Sequence, residues 1–328
     1  MAADVKRKAA LILNPAAGRG ADADTLREGL SARFELTVHE LAPGRDAGAC
    51  TREALETGAE VVIAAGGDGT VSTVAGALVG SSAVLGVVPR GTSNSIAASL
   101  GIPDDERGAV ETISDGEVRT IDSARANGRT MLLHAGAGFH AAMIGDTERD
   151  AKQRWGVLAY VKEGLAKLAS LEQFQVRIET EDHVVSCRAV NVMVANAAPA
   201  KTLLAQGPAE VVPDDGRLDI TIVAASSLAE AVATGLHLLS TAAFQEPATR
   251  DNVGYLSGRR VVIETDPPQP LLIDGEPAGE GRLVVECLSK SVRVLVPAGA
   301  VAEAAPPAAA PDAKLEGLPD LEIDPNPT

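Results

Sequence analysis

The sequence predicts a two-part fold: an α/β domain over residues 1–122, then an antiparallel β-sandwich-like domain over 123–290. Two observations carry this. Up to Asp122, short apolar runs alternate with helical stretches, the signature of a parallel sheet built from βα units. Beyond it, short strands follow one another between turns rich in Gly, Pro and Asp, as in antiparallel β-structure. The 328-residue length, with 45% hydrophobic and 23% charged residues, suits two globular domains.

In order, the first part reads as a strand over 9–13, a helix over 23–34, a strand over 34–41 and a helix over 47–57. A wholly apolar strand over 61–65 precedes a helix over 70–79, and a strand over 84–88 precedes a helix over 94–100. The second part reads as strands over 176–179, 187–194, 218–223, 260–264, 270–273, 283–287 and 292–296, interrupted by helices over 157–171 and 227–244. From 299 to 328 the chain is acidic and rich in Ala and Pro. That composition is expected to bury no core and to remain disordered.

Charge and composition narrow the function. Lys and Arg number 29 against 45 Asp and Glu, a net charge of −16 that repels a nucleic-acid backbone, and only 2% of residues are aromatic, too few for base stacking. Nucleic acid is not expected as a partner. Cys50, Cys187 and Cys287 lie far apart without a CxxC pair, which argues against a disulfide scaffold and against a cysteine-based zinc site. The five histidines show no metal-ligand spacing and read as packing or surface residues. The first residues lack the apolar run of a signal peptide, and the uncharged stretch 231–245 is too short to span a bilayer. A soluble, cytoplasmic protein is expected.

The most informative motif is Gly66-Gly67-Asp68-Gly69-Thr70, which follows the apolar strand and opens a helix. Glycines there admit a phosphate close to the backbone, and the helix N-terminus offers free N–H groups and a positive dipole end. It has neither the Lys of a Walker A loop nor the spacing of a dinucleotide fingerprint. Asp68 would repel a bare phosphate but suits one accompanied by Mg²⁺. The other reading is an ordinary βα turn with Thr70 as N-cap. Asn14-Pro15-x-x-Gly18 and Gly91-Thr92-x-Asn94 follow two further strands, so three loops converge on one sheet edge. Arg19 and Arg90 are phosphate-partner candidates there, although a surface position is the commoner explanation for each.

These three motifs, in this order and spacing, resemble the diacylglycerol kinase catalytic-domain family, which includes bacterial lipid kinases and the sphingosine and ceramide kinases. The likeness continues through Asp122, Gly136-x-Gly138-Phe139, Lys152-x-x-x-Gly156-x-x-x-Tyr160, Asp214-Asp215-Gly216-x-Leu218-Asp219, Asp274-Gly275-Glu276 and the strand ending at Pro297. The resemblance implies an N-terminal nucleotide-binding domain, a β-rich lipid-substrate domain, a cleft between them for ATP and lipid, and a last strand at about 291–298 that returns to the first domain. It implies nucleotide contacts from Asn14, Gly18, Gly66, Gly67, Asp68, Gly69, Thr70, Val71, Ser72, Thr92 and Asn94. It also implies a structural Mg²⁺ held by Asp215 with the carbonyls of Val212 and Arg217, supported by Asp122. Ser95 and the stretch 40–47 depart from the bacterial pattern.

Phosphoryl transfer to an alcohol needs a carboxylate for the hydroxyl proton. The resemblance places it at Glu276, with Asp274 beside it and Asp68 at the nucleotide; the bare Asp-Gly pair also reads as a plain turn. Burial near apolar lipid would raise the pKa of such a carboxylate, which suits a base. The expected activity is an ATP- and Mg²⁺-dependent lipid kinase acting on diacylglycerol or a related lipid alcohol, with peripheral membrane contact and a homodimer left open. Lys152, Arg154, Lys162 and Lys167 near Trp155 read as a solvated face or as an edge meeting anionic lipid. The alternatives are a soluble kinase resembling NAD kinases and a non-catalytic nucleotide- or lipid-binding regulator.

Overall fold

The computed structural model describes residues 6–17, 23–138, 173–198, 211–225, 234, 251–299 and 313–325. The chain divides into two compact units: Met1–Ser123 with Pro213–Asp215 and Leu288–Pro307, and Ala124–Val212 with Gly216–Cys287 and Ala308–Thr328. The helices expected over 157–171 and 227–244 lie outside the described residues, apart from Thr234.

The first unit alternates strands and helices: β1 (Lys8–Leu13), α1 (Ala23–Arg33), β2 (Glu35–Glu40), α2 (Ala47–Glu56), β3 (Val61–Gly66), α3 (Asp68–Leu78) and β4 (Val84–Pro89). Two further helices follow, α4 (Ser95–Ser99) and α5 (Glu106–Asp115), and then the antiparallel pair β5 (Glu117–Ala126) and β6 (Arg129–Met131). The strands pair in parallel in the order β4-β3-β1-β2. β3 and β4 are buried throughout and β1 from its second residue on, which is why they read as apolar runs and not as alternating ones. From β1 the chain adds β2 on one side, then β3 and β4 on the other. The order therefore reverses between β1 and β3, the place where open α/β sheets bind ligands beyond the strand C-ends.

A long strand, β16 (Leu283–Val296), extends this sheet, with Arg293 and Val294 pairing in parallel with Val84 and Leu85. The sequence suggested two strands here because Ser289-Lys290-Ser291 is polar. The structure instead carries the strand through, with Lys290 at φ 49° and its N–H donated to the buried Asp122 carboxylate at 2.6 Å.

The second unit is a sandwich. One sheet is antiparallel: β7 (His134–Gly138), β10 (Asn191–Ala195), β11 (Leu218–Val223), β12 (Val253–Gly258), β14 (Pro270–Ile273), β15 (Glu276–Glu280) and β17 (Ala313–Lys314), in the order β15-β14-β7-β10-β11-β12-β17. The other contains β8 (Phe174–Glu179), β9 (His183–Ala189) and β13 (Arg260–Asp266), with the first half of β16 beside β13. Phe174, Val176 and Ile178 alternate with exposed or half-buried residues and join Leu218, Ile220 and Ile222 in one core. The strand expected over 187–194 is two strands. β9 and β10 belong to different sheets, and the chain turns the corner at Val190.

The expectation of a disordered tail is corrected over 313–325. β17 pairs with the edge of β12, and β18 (Glu322–Pro325) pairs with β9, so the segment covers an edge of each sheet. Leu315 and Leu318, each 6% exposed, complete the sandwich core. The composition argument failed because it averaged these leucines with the Ala/Pro run before them. Deleting 313–328 is expected to lower stability by about 3–6 kcal/mol, from two buried leucines at about 1.5–3 kcal/mol each. The shift of a urea-unfolding midpoint measures it, and an unchanged midpoint would refute the packing.

Candidate functional site

In the first unit, the loops after β1, β3 and β4 are tied together at the strand C-ends. Asn14 donates its backbone N–H to Ala65 O at 2.9 Å and its side-chain amide to Thr70 Oγ1 at 3.1 Å. Arg90 N–H donates to Gly66 O at 2.9 Å. Gly67 and Gly91 meet backbone to backbone: a Cβ on Gly91 would sit 2.6 Å from Gly67 Cα, closer than real Cβ atoms come. The two glycine loops are thus one structure, and their glycines are needed for each other as well as for any ligand.

The N-cap of α3 is Gly67, which makes no side-chain cap hydrogen bond. Thr70 is not the cap, because Asn14 holds it. An α-helix beginning without a side-chain cap, at a sheet's switch point, offers its first N–H groups to an anion. Asp68 projects from this turn, and its Oδ1 accepts Ile96 N–H at 2.9 Å, which caps α4 from another loop. Asn94, 5% exposed and left-handed at φ 49°, accepts from Gly91 N–H at 2.8 Å and donates to Asp104 Oδ1 at 2.7 Å. Gly69 and Thr92 are exposed, whereas Val71 and Ser72 are buried within α3. Gly18 and Arg19 lie outside the described residues.

Arg90 departs from expectation. Its side chain is only 9% exposed, with Nη1 3.8 Å from the Glu106 carboxylate, and Nε and Nη1 are buried with no hydrogen-bond partner among the described residues. It is an interior cation at the end of β4.

In the second unit, Asp274-Gly275 is a two-residue hairpin turn joining β14 to β15. Both residues have positive φ, 47° and 82°, the type I′ pattern. The Asp274 carboxylate accepts N–H groups from Leu132 at 2.9 Å, Leu133 at 2.9 Å and His134 at 3.2 Å, fastening the turn to the bend before β7. Glu276, at the start of β15, is exposed and pairs with Arg129 at 3.0 Å. Its side chain is 61% exposed. Nothing in the sequence pointed to Arg129 or to the 132–134 bend, which are far from the turn along the chain.

The acidic loop is organised by its neighbours. Asp214 pairs with Arg119 at 3.0 Å, and Asp122 N–H donates to Pro213 O at 2.7 Å. Asp215 is exposed, and Arg217 donates to Ser257 Oγ at 3.0 Å. Asp219, buried, accepts the Tyr255 hydroxyl at 2.5 Å and is part of the sandwich. The basic stretch 152–167 lies outside the described residues. Among the described residues no helix is long and apolar enough to cross a membrane.

Comparison with known proteins agrees with this architecture. A family model for the diacylglycerol kinase catalytic domain matches residues 8–126, and one for the YegS C-terminal NAD kinase beta sandwich-like domain matches 134–296. A Bacillus subtilis diacylglycerol kinase is 30% identical over 83% of this chain and 91% of its own length. A Stenotrophomonas maltophilia protein named as lipid kinase YegS-like is 31% identical over 88% of this chain and 96% of its own. A solved Bacillus anthracis structure titled a diacylglycerol kinase shares the fold, with TM-score 0.66 at 23% identity, over 88% of this chain and 97% of its own. With both halves matched and the site loops in register with the strands that carry them, this chain belongs to the diacylglycerol kinase catalytic-domain family of lipid kinases.

Proposed function

We propose that this chain transfers the γ-phosphoryl group of ATP to a hydroxyl of diacylglycerol or a related lipid, with Mg²⁺, at a membrane surface. The observation that carries the nucleotide half is the start of α3, without a side-chain cap, at the switch point of the sheet, flanked by the Asn14 and Asn94 loops. Backbone N–H groups of Gly67, Asp68 and Gly69 at the open end of α3 would cradle phosphate oxygens, with Thr70, Val71 and Ser72 forming the turn behind them, and Thr92 and Asn94 would shape the same pocket. The acceptor half rests on the hairpin. Glu276 would take the hydroxyl proton as the hydroxyl oxygen attacks the γ-phosphorus and ADP departs, and Asp274 would hold the turn that presents it. An exposed carboxylate is adequate, because phosphoryl transfer through a loose transition state leaves the protein little covalent chemistry to do.

The donors assigned to Mg²⁺ are all oxygen, which suits a hard cation: the Asp215 carboxylate with the Val212 and Arg217 carbonyls, and the Asp68 carboxylate near the phosphates. Bound Mg²⁺ would supply positive charge against the phosphates. Asp68→Asn keeps an acceptor for Ile96 N–H while removing the charge. It is expected to leave the melting temperature unchanged and to lower turnover at limiting Mg²⁺ on the order of tenfold, the equivalent of 1.4 kcal/mol. Equal Mg²⁺ dependence in both proteins would remove Asp68 from this role.

The second sandwich-domain match carries the name of NAD kinase, so a soluble acceptor is the competing reading. The test is purified full-length protein with labelled ATP, a panel of lipid alcohols in mixed micelles, and NAD. Label on a lipid supports the proposal; label on NAD alone, or ATP hydrolysis indifferent to every lipid, overturns it.

A further inference from the structure

The edge of the first unit brings together three side chains that the sequence holds apart. His39 lies on β2, and Cys50 and Glu53 lie three residues apart on α2, hence on one helical face. One ring nitrogen of His39, Cys50 Sγ and a Glu53 carboxylate oxygen all lie within 4.8 Å of one another. We propose that His39, Cys50 and Glu53 bind a zinc-class divalent cation through nitrogen, sulfur and oxygen, with a fourth position left open to water or an outside ligand.

Three features support a cation here. Arg45 already places one: its Nη2 donates to His39 Nδ1 at 3.3 Å and to Glu53 Oε2 at 3.5 Å. Its side chain is 45% exposed, so a metal ion can displace it and substitute one positive charge for another. The imidazole also faces the site, with Nδ1 only 3.8 Å from Glu53 Oε2, so the nitrogen that now takes the Arg45 hydrogen bond is the one a metal ion would use. Finally, the geometry is close to what zinc requires. Tetrahedral bonds of about 2.0–2.3 Å place ligand atoms about 3.3–3.8 Å apart, and Glu53, with an exposed side chain, can close the remaining gap.

The donor set is selective. A thiolate with an imidazole favours Zn²⁺ or Co²⁺ and disfavours Mg²⁺, so this site is chemically separate from the oxygen donors assigned to the phosphates. Binding requires Cys50 to lose its proton and His39 to be neutral, and it would clamp α2 to β2. The spacing argument against a cysteine-based zinc site considered cysteine pairs only, and this cluster uses one cysteine.

The test uses full-length protein, stripped with a chelator, kept reduced and titrated with Co²⁺ and then Zn²⁺. One equivalent of Co²⁺ should give a thiolate charge-transfer band that Zn²⁺ removes, and Zn²⁺ should raise the melting temperature. Cys50→Ala should abolish the band, while Cys287→Ala should keep it. Cys187 is a poor competitor, since burial pushes its thiol up to about 11. Glu53→Gln, at an exposed position, should fold normally and weaken Zn²⁺ by at least the ~10–100-fold that loss of even an outer partner costs. No stoichiometric band, a band that survives Cys50→Ala, or Zn²⁺ affinity unchanged by Glu53→Gln overturns the proposal.

Discussion

Glu276→Gln is expected to lower kcat by about 10²–10⁴-fold, the usual cost of removing a general base. The substitution keeps the side chain's size and one hydrogen-bonding oxygen, and it loses an exposed pair with Arg129 that contributes little to stability. ATP affinity should hardly move, because the loops proposed to hold the nucleotide belong to the first unit. The check is kcat and an ATP-binding titration on one preparation. Unchanged kcat clears Glu276 of the role. Joint loss of turnover and ATP binding would mark it as a structural residue.

Asp274→Ala should act mainly on stability. It leaves three backbone N–H donors without their acceptor, and at about 1–3 kcal/mol for each group left unsatisfied the loss is on the order of 3–9 kcal/mol. Asp274→Asn retains one oxygen and should fall between. Chemical denaturation measures both, and kcat on the folded fraction separates the roles. If Asp274→Asn unfolds like wild type yet turns over far more slowly, the carboxylate acts in the chemistry and not through the turn.

How much the sequence disclosed follows from how each feature is encoded. The parallel strands of the first unit were legible because burial on both faces leaves an unbroken apolar run, as in Val61-Val62-Ile63. The glycine loops were legible as a group, since three of them follow strands. β7 was missed because it reads His-Ala-Gly-Ala-Gly, without a branched residue; Gly136 lies against Val192 O, where a Cβ would come within 2.7 Å. Residues paired across long stretches of chain left no local trace. Arg129 with Glu276, Arg90 with Glu106 and His39 with Cys50 are products of the fold alone. The interior position of Arg90 could not be read from a strand end that looks like surface, and the tail misled because two leucines were diluted by alanines.

The order in which the chain is synthesised bears on the strand that closes the first unit. Val84 and Leu85 emerge long before their partners Arg293 and Val294. The sandwich waits even longer, for Leu315, Leu318 and the strand at Glu322–Pro325. On a ribosome adding about 5–20 residues per second, both sheets therefore keep an open edge until these segments emerge. A nascent chain stopped before residue 290 would carry two unfinished sheets at once, the state in which strands pair with the wrong chain. For such a protein, closing both edges falls to segments made long after the strands they cover.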